Sequence, residues 1–203
     1  MEWVSKSVPS DCGTSEASTW LRGERTVSPT PTRAQCSDFL PKLGCAAKVL
    51  FVGAERPHEF ADAMSLECQG HDVLVINPRE TPATKGFRKA GGQFVRTKIE
   101  ALPPRCCSFD LICENYPYPS GRHYVPPRAF AFARLARLRP NGRWILFTES
   151  PRYASLLKAV GDYDEDVRHL FRVSLSSIAP DVAPLSAYPA VSSRFRLVFT
   201  RRR

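Results

Sequence analysis

The chain has 203 residues, of which 43% are hydrophobic and 24% charged, the mix of a globular protein with enough apolar side chain for one sizeable core. No stretch approaches the roughly 18 uninterrupted apolar residues that a membrane-spanning helix needs, and Met1-Glu2-Trp3-Val4-Ser5-Lys6 has no apolar run behind a basic segment, so neither a membrane span nor a signal peptide is expected and the location is read as cytoplasmic. Lys plus Arg is 29 against 20 for Asp plus Glu, a net +9 that favours nucleic acid or other anionic partners, although the excess is scattered arginine and not one basic block.

Residues 1–45 are rich in Ser, Thr and Pro, as in Ser28-Pro29-Thr30-Pro31-Thr32. They bury too little apolar surface to offset the entropy of ordering, so a mostly disordered tail is expected, followed by one α/β domain over 46–203. Lys48-Val49-Leu50-Phe51-Val52-Gly53 reads as a buried parallel strand closed by glycine. Pro57 opens a helix that ends near Gly70, and Asp72 to Asn77 is a second buried strand ended by Pro78. A weaker helix spans Thr81 to Ala90, and Gln93 to Thr97 is the third strand.

Phe109 to Cys113 is the fourth strand, and a helix follows from Pro127 to Leu138, with Ala131, Leu135 and Leu138 on one face. Arg139-Pro140-Asn141-Gly142 reads as a stop signal before a fifth strand, Arg143 to Thr148. Pro151 to Val160 is a helix closing at Gly161. Leu170 to Leu175 and Arg194 to Phe199 are strands with no helix between them, only a loop over Ile178 to Ser193. Strands joined without a crossover helix pair antiparallel. The expected architecture is therefore a doubly wound, mostly parallel seven-stranded sheet with a terminal antiparallel hairpin.

The seven cysteines (Cys12, Cys36, Cys45, Cys68, Cys106, Cys107 and Cys113) form no CxxC pair, and His58, His71, His123 and His169 have no zinc-ligand spacing. Reduced thiols and no metal are expected, with Cys113 a small buried hydrophobe.

Over 47–201 this order of elements resembles the class I S-adenosylmethionine-dependent methyltransferase family, a Rossmann-like fold. The resemblance is carried by Phe109-Asp110-Leu111-Ile112 and by Leu138-Arg139-Pro140-Asn141-Gly142-Arg143-Trp144-Ile145-Leu146. It implies S-adenosyl-L-methionine as cofactor, bound by Gly53, Ala54 and Glu55 after the first strand, Asn77 after the second, Ile99 beside Lys98 after the third, and Glu114 at the end of the fourth. The turn is degenerate, since only Gly53 matches the family's glycines, and Glu55 or Glu59 is the candidate for the cofactor's amino group. Asn77 stands where the family has a ribose-binding acid, and Lys98 where it has an acid near adenine.

Glu114-Asn115-Tyr116-Pro117-Tyr118 resembles the Asn-Pro-Pro-Tyr loop of amino-directed methyltransferases. The resemblance implies that Asn115 orients an amine and Tyr118 stacks on a planar substrate, with nitrogen methylation as the reaction. The changed turn and acids keep open a catalytically inactive binding or scaffold domain. A dinucleotide-linked oxidoreductase ranks below both, because Gly53-Ala54-Glu55-Arg56-Pro57-His58 lacks the later glycines of G-x-G-x-x-G. Arg122, Arg128, Arg134 and Arg137 are candidates for an anion-binding rim, with Arg134 and Arg137 read first as a solvated helix face.

Overall fold

Lys48–Val52 (β1) is apolar on both sides because it lies at the centre of a sheet covered on both faces, where every side chain of a parallel strand meets a helix. A computed structural model describes residues 46–54, 57–102, 108–115, 126–148, 150–178 and 194–203. After β1 come Pro57–Cys68 (α1), Asp72–Ile76 (β2), Pro82–Lys89 (α2), Gln93–Val95 (β3), a 3-10 turn over Ile99–Ala101, and Phe109–Asn115 (β4). The second half comprises Pro127–Leu135 (α3), Leu138–Thr148 (β5), Pro151–Tyr163 (α4), Glu165–Arg168 (α5), Phe171–Ile178 (β6) and Arg194–Arg201 (β7).

The strands lie in the order β3-β2-β1-β4-β5-β7-β6. β1 pairs in parallel with β2 and β4, and β7 inserts antiparallel between β5 and β6. The expected doubly wound sheet with an antiparallel hairpin is therefore the observed one. Alternation along the strands splits the core in two. Leu50, Ile112, Trp144 and Leu146 pack with Leu135 of α3 and Leu157 of α4. Val49, Phe51, Val75 and Cys113 pack with Phe60 of α1 and Phe87 of α2. No described helix is long and apolar enough to cross a membrane.

Several boundaries differ from the sequence reading, each for a local reason. Thr81 lies outside α2 as its N-cap, accepting from the Thr84 N–H while the Thr84 hydroxyl accepts from the Thr81 N–H. β3 stops at Val95. The helix α3 stops at Leu135, because Leu138 already pairs with Phe109 in the sheet. The ladder then jumps to Leu111 opposite Arg143, so Arg139-Pro140-Asn141-Gly142 is a bulge inside β5 and not a stop before it. Asn141 takes the left-handed conformation at φ 63, and a Cβ on Gly142 would lie 2.9 Å from the Phe109 carbonyl oxygen.

Gly161 does not end α4, which runs on to Tyr163. A Cβ there would lie 2.6 Å from Val173 Cγ1 and 3.0 Å from the Phe199 ring, so the bare glycine lets the helix lie close on the sheet. The short α5, capped by the Asp164 side chain, has no counterpart among the expected elements.

Cys68, exposed at the end of α1, is disulfide-bonded, which corrects the expectation that all thiols are reduced. Linear spacing carries no information about which thiols meet in space. The expected tail over 1–45, Cys106-Cys107 and the loop over 179–193 lie outside the described residues.

Candidate ligand site at the carboxyl ends of the central strands

In an open α/β sheet the turns leave a crevice where the strand order reverses. Here the reversal falls between β1 and β4, whose last paired residues are Val52 and Glu114. Gly53 follows β1 at φ +74, a conformation that side chains rarely adopt, and its N–H donates to the Ile76 carbonyl at 2.8 Å. A Cβ on Gly53 would meet nothing within 4 Å, so the turn presents bare backbone to open space.

Asn77 cross-links this turn to the next one. Its Nδ2 donates to the Ala54 carbonyl at 2.8 Å, and its Oδ1 accepts from the Arg79 N–H at 2.8 Å. The residue is only 1% exposed. Both ends of the amide are engaged within the protein, so the side chain braces the Gly53-Ala54 turn against the end of β2. Ala54 is buried beneath it.

Glu114, on β4, turns its carboxylate into the interface with α3. Arg134 donates to it from Nε at 3.0 Å and from Nη2 at 2.7 Å. Arg134 Nη1 donates to Glu100, after β3, at 2.8 Å, and the guanidinium lies 3.5 Å over the Phe130 ring. Burial pulls the Arg134 pKa down, but the charges and hydrogen bonds of Glu114 and Glu100 outweigh it and hold the pKa above its ordinary value. This network ties the segment after β3 to the end of β4, on either side of the crevice. Ile99 belongs to the core beneath it, whereas Lys98 is exposed.

The anion-binding rim expected from α3 is not formed by its described arginines. Arg134 is buried and paired, not solvated. Arg137 Nη1 donates to the Ala133 carbonyl at 2.6 Å and Nη2 to the Leu102 carbonyl at 3.0 Å. Arg128 pairs with Asp164 at 2.6 Å and Asp166 at 2.8 Å. Carboxylates and carbonyls engage all three, most of them distant in sequence, a partnership that helical periodicity alone does not reveal. The usable signal was the pair of acids, Glu100 before the fourth strand and Glu114 near its end.

Asn115 ends β4 opposite Phe147 of β5, which places its backbone at the mouth of the crevice. Its side chain, Glu55, and the stretch 116–125 that includes Tyr118, Arg122 and His123 lie outside the described residues, as does the His58 side chain. Glu59 and Asp62 of α1 are both 4% exposed. Cys113 is free and buried, and burial, aided by the Asp62 charge, pushes its thiol pKa far up, so it is a packing residue and not a nucleophile.

No protein-family model matches the chain, and no curated protein matches it in sequence. Solved structures do match. The chain is similar to the plantazolicin methyltransferase BpumL in complex with SAH, at 13% identity over 77% of this chain and 76% of that one, with a TM-score of 0.57. It is similar to TrmN from Thermus thermophilus at 18% identity over 77% of this chain and 44% of that one, with a TM-score of 0.56. It is also similar to the N-methyltransferase NodS from Bradyrhizobium japonicum WM9, at 12% identity over 79% and 88%, with a TM-score of 0.51. The chain has the class I methyltransferase fold.

Proposed function

We propose that this chain is an S-adenosylmethionine-dependent methyltransferase that acts on a nitrogen of a planar or amino-bearing substrate. The observation that carries the reading is the open backbone of Gly53 at the point where the strand order reverses. The missing side chain at Gly53 leaves room there for the methionine part of the cofactor, and the structure of BpumL with SAH supports the same ligand class.

In this reading Gly53 and Ala54 form the floor of the cofactor site, with Glu55 facing the amino group. Asn77 serves the site by holding that floor in place, since its own amide is already engaged. Ile99 and the Glu114 backbone belong to the adenine side, and the Glu114 carboxylate stays with Arg134. The bound cofactor supplies a methyl group activated by a sulfonium. Displacement at such a methyl needs little beyond alignment of the attacking lone pair. Asn115 accepts a hydrogen bond from the amine and aims that lone pair, while Tyr118 stacks on the substrate plane. NodS, named as an N-methyltransferase, supports nitrogen as the acceptor.

Titration with S-adenosylhomocysteine tests the cofactor. At about 100 times its dissociation constant it should stabilise the protein by about 2.7 kcal/mol, read as a rise in melting temperature. Asn115→Ala should lower turnover at least tenfold, about 1.4 kcal/mol in the transition state, and leave that titration unchanged. No binding at millimolar concentration defeats the reading and leaves the non-catalytic one.

A further inference from the structure

The far half of the sheet differs in chemistry from the crevice. β5, β6 and β7 contain no Asp or Glu, although each carries arginine and the chain ends Arg201-Arg202-Arg203. Elsewhere many of the cations are matched: Lys48 faces Asp72, Arg88 faces Glu80, and Arg128, Arg139 and Lys158 each have an aspartate. Arg143 of β5 and Arg172 of β6 have no such match among the described residues.

Strand register decides where it points. Arg143, Thr200 and Arg172 form one row across β5, β7 and β6, and Ile145, Val198 and Ser174 form the next. The alternate rows, Trp144-Phe199-Val173 and Leu146-Leu197-Leu175, face α4 and the apolar core. On the opposite face the rows pass from buried Ile145 to exposed Ser174, and Arg143 and Arg172 are both exposed. The Arg202 N–H donates to the Leu170 carbonyl at 2.8 Å, which pins the basic end of the chain beside the start of β6. Arg143, Arg172, Arg202 and Arg203 have no carboxylate within ion-pair reach among the described residues.

We propose that this face binds the phosphate backbone of nucleic acid. Arg143 and Arg172 stand two strand spacings apart, about 10 Å, with a hydroxyl-bearing Thr200 between them. Two guanidinium groups with a hydroxyl between them can each take a phosphate of one strand, and a positive field draws a polyanion from a distance. No exposed aromatic stands in these rows to stack on bases, so the binding is to the backbone and shows little sequence preference. The proposal concerns binding alone and holds whether or not the crevice transfers a methyl group.

The test is fluorescence anisotropy of the full chain with two labelled 20-nucleotide single-stranded RNAs of unrelated sequence. Both should bind with affinities within about threefold of each other, and the affinity should fall steeply with salt. The double variant Arg143→Ala/Arg172→Ala, on exposed positions, should bind at least tenfold more weakly. Its slope of log affinity against log salt should be shallower by about 1.4, or about 0.7 for each phosphate that the protein no longer neutralises. Arg152→Ala, which removes an exposed arginine on α4, should change affinity less than twofold. Circular dichroism melts that match for all three proteins remove misfolding as a cause. Absence of RNA binding at about 10 μM protein in low salt overturns the proposal, as does an equal loss in Arg152→Ala. Binding to anionic phospholipid vesicles with the same arginine dependence, and not to RNA, overturns it in favour of a membrane surface.

Discussion

The carboxylate of Glu114 and the guanidinium of Arg134 meet in a fork of two hydrogen bonds, 2.7 and 3.0 Å long, with side chains only 3% and 5% exposed. Removing one partner strands the other charge in the core, which costs about 3–5 kcal/mol. Arg134→Met should therefore destabilise the protein by about that much in urea denaturation. Replacing both residues with apolar ones, Glu114→Leu with Arg134→Met, should recover most of the loss. Glu100→Gln should cost less than about 1 kcal/mol, because Glu100 is half exposed and water screens its charge.

Asn77 provides a second test, in which sequence resemblance and geometry give opposite signs. A carboxylate at this position would restore the family's ribose-binding acid. It would also remove the Nδ2 donor and set an anionic oxygen against the Ala54 carbonyl. The buried mismatch costs about 1–3 kcal/mol. Asn77→Asp should lower the melting temperature by about 2–12 °C, and a gain in stability would show that the turn opens to solvent.

Glu67, in the last turn of α1, titrates near neutrality. Burial pushes its pKa from 4.5 up to about 7, the Asp72 charge adds to this, and the Gln93 N–H only partly opposes it. A carboxyl whose folded pKa is raised favours the fold most below pH 4.5, and that contribution is lost as pH rises through 7. The full displacement corresponds to about 3 kcal/mol, which partial exposure reduces to about 1–2 kcal/mol. Glu67→Gln should therefore stabilise the protein by about 1–2 kcal/mol at pH 8. Stability measured between pH 5 and 8 should lose the corresponding downward slope.

Gly161 sets helix propensity against packing. In an exposed helix Gly→Ala gains about 1 kcal/mol. Here the new methyl would lie 2.6 Å from Val173 Cγ1 and 2.8 Å from Val173 Cβ, and overpacking of this kind costs about 1–3 kcal/mol. Gly161→Ala should be net destabilising in chemical denaturation, and Gly161→Val more so.

The strands β1, β2 and β4 were legible in the chain because burial on both faces leaves a continuous apolar run that no exposed element shares. The parallel pairing of the first strands and the antiparallel β7 followed from where crossover helices are present and where one is missing. Gly53 was legible too, as the residue that must turn sharply after a buried strand. The roles of Arg134, Asn77 and Gly161 were decided only by the tertiary structure. A charged residue beside an apolar helical stripe reads as solvated until a carboxylate twenty positions earlier is brought opposite it. A polar residue after a strand has no visible partner in the sequence until the neighbouring turn supplies a carbonyl for its amide. A glycine reads as a helix end until a sheet lies too close behind it for any side chain. Local pattern specifies the elements because each is governed by its own periodicity and caps, whereas a side chain's partner depends on which distant segment the packing sets beside it.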